Sequence, residues 1–268
     1  MHREPVVAGR FYEADPTRLN TVLDGYLSGA VRRTEPTILA MVPHAGYVYS
    51  GALCGQTLGT ASLASTVLLL GPNHTGRGKQ FSLWPEGEWA IPGGNVPIDT
   101  SLATVLLESN SMLSADTEAH IGEHSLEVVL PFLKHMNPDT TFVPIALSAN
   151  RFEAMEEIGR TIGDVIQAFE RPVSIIVSSD MSHYISHEKA QEMDSMALEA
   201  CVELDPLALF TTVREKRISM CGVLPMTCGL VAARVLGAHS GELVGYTTSG
   251  DVTGDLAQVV GYAGILVS

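Results

Sequence analysis

Basic residues are scarce in this chain: 16 Lys and Arg stand against 30 Asp and Glu, a formal net charge of -14. The only basic clusters are short, Arg32-Arg33 and Arg214 to Arg217, which argues against the concentrated positive stripe that a phosphate backbone needs and sets nucleic acid aside as a partner. Long apolar runs are missing as well. None approaches the ~20 residues needed to cross a bilayer, and the opening MHREPVVAGRFYEADPTRLN lacks the basic-then-apolar order of a secretory signal. A cytoplasmic protein with no membrane contact is the expectation. The four cysteines, Cys54, Cys201, Cys221 and Cys228, show neither C-x-x-C pairing nor zinc-finger spacing, so they do not form a disulfide framework. Neither G-x-G-x-x-G nor G-x-x-x-x-G-K-[ST] occurs, and IPGGN alone is a turn signal. Without a fixed repeat, a low-complexity tract or an evident linker, residues 1–268 read as a single domain.

What the chain does have is apolar content, 46% against 17% charged, enough for a full core. Short β-rich runs alternate with amphipathic helical segments, the pattern of strands joined by crossover helices. Strands are expected near 38–42, 66–70, 141–147, 173–177, 243–247 and 259–266. Helices are expected near 16–27, 51–58, 101–107, 125–135, 151–169, 187–204, 206–213 and 224–236. Several strands are continuously apolar, as strands covered on both faces should be. The expected fold is therefore α/β, a mostly parallel or mixed central sheet with helices on both faces. The Gly- and Pro-rich stretch 77–97 reads as hairpins or a long loop that covers one side of a cleft.

Three of the apolar runs end in residues that can bind metal. TILAMVPHAGY stops at His44, LLLGPNHTG at His74, and VSIIVSSDMSH at Asp180 and His183. In open α/β sheets the ligand crevice lies beyond the carboxyl ends of the strands, so these residues can meet although they are far apart in sequence. Imidazole suits Zn, Fe, Cu or Ni, and a carboxylate adds oxygen character suited to iron or manganese. Any one such histidine also reads as a loop residue with satisfied hydrogen bonds; the coincidence of three strand ends points to a shared cleft. EAHIGEHSLEVVLPFL adds Glu123 and His124 at a helix start, with Glu123 or Ser125 as the cap and Pro131 interrupting the turn pattern. His124 reads as a substrate or supporting contact, His120 and His187 as surface residues. Cys221 precedes a helix near Leu224-Pro225, and a helix N-terminus favours the thiolate that binds metal or acts as a nucleophile. Its bland reading is a buried structural thiol, which fits Cys54, Cys201 and Cys228.

The blocks AGRFYEADPTRLN, VPHAGYVYSG, LLLGPNH, EHSLEVVLPFL, VSSDMSHY, ISMCG and GYAG occur in an order that resembles the Memo family, proteins named for a role in receptor-driven cell motility in animals and widespread in bacteria and archaea. The resemblance implies a fold similar to the catalytic subunit of class III extradiol dioxygenases, which use non-haem Fe(II). It implies metal positions at His44, His74 and Cys221, with Asp180, an alternative ligand, and His183 lining the pocket. Those dioxygenases hold iron with two histidines and a glutamate; a thiol at Cys221 departs from that set and admits copper or zinc beside Fe(II). Activity is not inherited with a fold. Two functions follow as expectations. One is a metal-dependent oxidoreductase in which His183 or His124 serves as acid or base toward a small aromatic substrate. The other is a metal-handling or adaptor protein that takes a small molecule, a peptide or a protein in the same pocket; the resemblance suggests radical-SAM and AMMECR-type proteins as partners. Hydrolysis by an activated Cys221 is a third, weaker reading.

Overall fold

The computed structural model describes residues 1–268. Four apolar runs, Leu39–Val42, Val173–Ser178, Thr66–Pro72 and Thr141–Leu147, lie side by side in that order as parallel strands, almost wholly buried. Continuous β-branched and leucine content with no polar alternation is what burial on both faces requires. The sheet as a whole is mixed and nine-stranded. Val259–Val267 pairs antiparallel with Leu39–Val42 and with Gly241–Thr248, and Phe81–Leu83 pairs antiparallel with Thr141–Leu147.

Helices cover both faces. A side chain added at Gly229, in the helix Val223–Val235, would run into Leu39 and Val177, whereas one at Gly264 would run into Thr57 of the helix Tyr47–Thr60. Ala40 pairs with Leu266, which shares a side with Gly264, so neighbouring Leu39 faces the other way. Close approach on the Leu39 side depends on further glycines: Gly159 and Gly163 of the helix Phe152–Ala168 sit against Val231 and Val235 with no room for a methyl group. No helix is long and apolar enough to cross a membrane.

Register positions the functional residues. Val42 pairs with Ser178, so His44 and Asp180, each two residues further on, leave the sheet next to each other. Leu70 pairs with Val177, which brings the Pro72 end of its strand, and with it His74, to the same rim.

Two expectations are corrected. The helix expected over 125–135 begins only at Leu130, after a 3-10 turn at Glu127–Val129, and Pro131 sits in its first turn, where no backbone donor is needed. His120 is not a surface residue but fully buried, folded inward by the 3-10 turn Glu118–His120 against Trp84 and Trp89. His187 is half-buried at the start of its helix, with a 3.0 Å contact between Nδ1 and the Thr248 hydroxyl. The stretch 77–97 supplies the strand Phe81–Leu83 and a hairpin, Glu88–Ile91 with Gly94–Pro97, whose first strand takes His2–Arg3 in parallel to make a small separate sheet.

Candidate metal centre

Pro43 cannot donate to a ladder and ends the first of these strands; Gly46 then opens the helix Tyr47–Thr60, leaving His44 in a tight connection with its ring 3% exposed. The backbone N–H of His44 donates to Asp180 Oδ1 at 2.8 Å. Its Nδ1 lies 2.8 Å from Ser178 Oγ, and Ser178 spends its single hydroxyl proton on the Ser125 carbonyl at 2.6 Å. Ser178 must therefore accept from His44, which fixes the proton on Nδ1 and leaves the Nε2 lone pair free. That nitrogen faces Cys221 Sγ at 3.3 Å.

His74 is oriented by the same logic. Asn73 Oδ1 accepts from the Thr75 hydroxyl and from Gly76 N, a turn that Gly76 completes at φ +66. Within this turn Glu123 receives the His74 backbone N–H at 2.5 Å and Nδ1 at 2.9 Å. A carboxylate can only accept, so Nδ1 carries the proton and Nε2 is again the free nitrogen. Sequence reasoning saw Glu123 only as a helix cap. It does accept from the N–H groups of His124 and Ser125, but it also aims an imidazole, a second duty that no spacing rule reveals.

Cys221 reaches the cleft because the turn before the helix Val223–Val235 comes close to Ser179: a methyl group on Gly222 would overlap the Ser179 side chain. The Asp180 N–H donates to Sγ at 3.3 Å. Cys221, His44 and His74 converge here, each offering one ligand atom within 4.8 Å of the others. His124 completes an imidazole triangle, its ring stacked on His74 at 5.1 Å and edge-on to His44 at 5.6 Å, with His44 and His74 themselves 5.3 Å apart. A second trio, His74, Glu123 and His124, is equally close, but its members are already joined by the hydrogen bond from His74 to Glu123.

Asp180 borders the trio, with Oδ2 3.9 Å from His44 Nε2. His183 donates Nδ1 to the Ser219 carbonyl at 2.9 Å, leaving its Nε2 free, and lies near enough to influence the titration of both His44 and Asp180.

The electrostatics follow from burial. Burial first, then the neighbouring imidazoles of His74 and His124, hold His44 well below the ordinary histidine range, so its ring is neutral at pH 7. Burial opposes charge on Glu123 too, but the hydrogen bond and the charge of His74, with the backbone N–H groups, outweigh it and bring the carboxyl down to about 2. Glu123 in turn raises His74 against the effect of burial. Asp180 is lifted to about 6, mainly by burial. Burial, with the Asp180 charge, also pushes the Cys221 thiol up. This corrects the expectation of a helix-stabilised thiolate: the first amide of the turn, Gly222 N–H, donates to Ser179 Oγ and not to the sulfur. Cys54, Cys201 and Cys228 are buried with raised thiols, as inert structural cysteines are.

A family model described as Memo-like protein matches residues 3–266. The chain belongs to the Memo family. Among its relatives is a MEMO1 family protein of Methanopyrus kandleri, 38% identical over 279 residues that cover 99% of each chain. A MEMO1 family protein of Aquifex aeolicus is 38% identical over 265 residues and one of Methanobrevibacter smithii 34% over 277, each alignment covering 98% of both chains. Memo membership thus spans the whole α/β unit and includes every residue of the cleft.

Proposed function

We propose that this Memo family member binds a divalent metal at His44, His74 and Cys221, with Fe(II) the first choice and copper or zinc admitted by the sulfur, and that the centre serves oxidoreductase chemistry on a small aromatic molecule held in the cleft. One observation carries the reading. Both ligand imidazoles have Nδ1 committed to a fixed acceptor, which leaves each an Nε2 lone pair, and one ligand atom from each of His44, His74 and Cys221 lies within 4.8 Å of the others. The 3.3 Å between His44 Nε2 and Sγ agrees with the ~3.5 Å expected for nitrogen and sulfur sharing one tetrahedral ion. Asp180 is the alternative to Cys221 as the third donor.

A bound metal would supply Lewis acidity and, for iron or copper, electron transfer toward oxygen. The protein supplies the rest. Asp180, held at about 6, exchanges a proton near neutral pH. His124 and His183 offer ring nitrogens for acid or base work at the cleft wall. His74, His124 and Phe11, whose ring meets that of His124 at 4.9 Å, give a bound aromatic ring surfaces to pack on.

The sulfur also favours a second reading, a metal-handling or adaptor protein without turnover, since a buried thiolate holds soft ions tightly. Metal analysis of the purified protein, with chelator competition on wild type, His74→Ala and Cys221→Ala, tests the centre: one equivalent bound and a weakening of at least tenfold in each variant is expected. Protein that takes up no metal sinks the proposal. Oxygen uptake by anaerobically iron-loaded protein with catechol-like compounds separates the readings; none across a broad panel leaves metal handling.

A further inference from the structure

The N-terminal segment lies outside the ligand loops, yet its polar groups converge on them. Arg3 is 4% exposed and stacks over Trp89 at 4.1 Å. Its guanidinium donates to the His120 carbonyl at 3.0 Å, to the Glu123 carbonyl, and to Glu127 Oε2 at 2.8 Å. His120 and Glu123 are the two ends of one turn, closed by Glu123 N–H to His120 O at 3.3 Å. Ile121, at φ -71 and ψ 115, and Gly122, at φ +81, make it a type II turn. Arg3 thus bridges the turn from carbonyl to carbonyl, and the last residue of that turn is the one whose carboxylate aims His74.

Glu127 fastens the other side of the segment, accepting from Val6 N, Val7 N and the Tyr12 hydroxyl at 2.8–3.0 Å. Phe11 then touches the His44 loop, its carbonyl receiving Tyr47 N–H at 2.7 Å. The segment 3–12 is a strap joining both imidazole loops.

We infer that Arg3 is a positioning residue for the metal centre, acting through the main chain of Glu123 to hold His74 in the Nδ1–H form with Nε2 presented to the ion. The inference rests on the proposed metal reading but has a readout independent of it. Only a planar fork can span both carbonyls while pairing with Glu127; a lysine keeps the charge and loses the span.

The experiment compares wild type, Arg3→Lys and a core truncation outside the ligand loops, Ile162→Val in the helix Phe152–Ala168. Zn(II) affinity is measured by chelator competition, and the His74 tautomer by long-range nitrogen–proton NMR of the metal-free protein. Arg3→Lys is expected to weaken Zn(II) about tenfold, the lower end for groups that support a ligand, and to populate the Nε2–H tautomer of His74, while Ile162→Val changes neither. Unchanged affinity and tautomer in Arg3→Lys overturn the inference, as does an equal loss in Ile162→Val, which would make the effect one of stability. Should wild type bind no Zn(II), the metal reading falls and the tautomer alone decides: a His74 that keeps Nδ1–H in Arg3→Lys refutes the role of Arg3. If Arg3→Lys does not fold, the paired variant Arg3→Gln with Glu127→Gln removes the fork without stranding a charge and is read in the same way.

Discussion

Acid should destabilise this protein in part through a single buried ring, His120. Its Nε2 lies 3.1 Å from the Ser82 carbonyl, which can only accept, so Nε2 carries the proton; Nδ1 is buried without a partner. Protonating Nδ1 would place a charge between Trp84 and Trp89, close to the Arg3 guanidinium. Burial, aided by Arg3 and only partly offset by the Ser82 carbonyl, brings the ring down to about 4 from the ordinary 6.5. Between those values the unfolded chain holds a proton that the folded chain refuses, so stability rises with pH there. The contribution is complete above about pH 6.5 and lost as pH falls toward 4. At 1.36 kcal/mol per unit, a gap of about 2.5 units amounts to about 3 kcal/mol in full. About 2.5 kcal/mol of that should be lost by pH 4.5. Urea unfolding of wild type and His120→Phe at pH 7.5 and pH 4.5 measures it, because other titrating groups cancel in the difference between the two proteins. The variant, penalised at both pH values for the unpaired Ser82 carbonyl, should lose about 2.5 kcal/mol less than wild type on acidification, roughly 1 M in urea midpoint. Equal losses in the two proteins would refute the reasoning and place the acid sensitivity elsewhere.

Glu123→Gln leaves one acceptor oxygen where four N–H donors converge, and turns an amide N–H₂ toward one of them. Metal affinity should fall 10–100-fold, with about 1–3 kcal/mol of stability lost; wild-type affinity by chelator competition would contradict the aiming role. Gly222→Ala forces a methyl group into Ser179, an overpacking cost of about 1–3 kcal/mol. A melting point lowered by roughly 2–10 °C is expected by circular dichroism, together with weaker metal binding as Cys221 is displaced. An unchanged melting point would show that the turn yields freely.

The strand ends were legible because they obey a one-dimensional rule. Apolar runs with no alternation had to be covered on both faces, and that put their carboxyl ends at one rim with His44, His74 and Asp180 attached. The segment 120–129 escaped the same reading for a physical reason. Its acidic residues resemble helix caps, and Glu123 does cap two amides, but Glu127 is committed to Arg3, Val6, Val7 and Tyr12, more than 110 residues away in sequence. Such tertiary hydrogen bonds override the local helical pattern and delay the helix to Leu130. His120 was misplaced for a related reason: its surroundings, Trp84 and Trp89, come from the stretch 77–97, which no local pattern joins to it.

In this cleft each candidate ligand is held by a group from a different loop. His44 N–H is bonded to Asp180, Asp180 N–H to Cys221, and Ser178, the acceptor for His44, to the Ser125 carbonyl of the loop whose Glu123 orients His74. Local turns shape each loop, but the acceptors that aim the two imidazoles belong to neighbouring segments. Coupling of that kind makes energies non-additive. Removing Ser178 should therefore disturb His74 as well as His44, and combining that change with Glu123→Gln should weaken metal binding by less than the product of the separate effects, since each change already loosens the lattice on which the other acts.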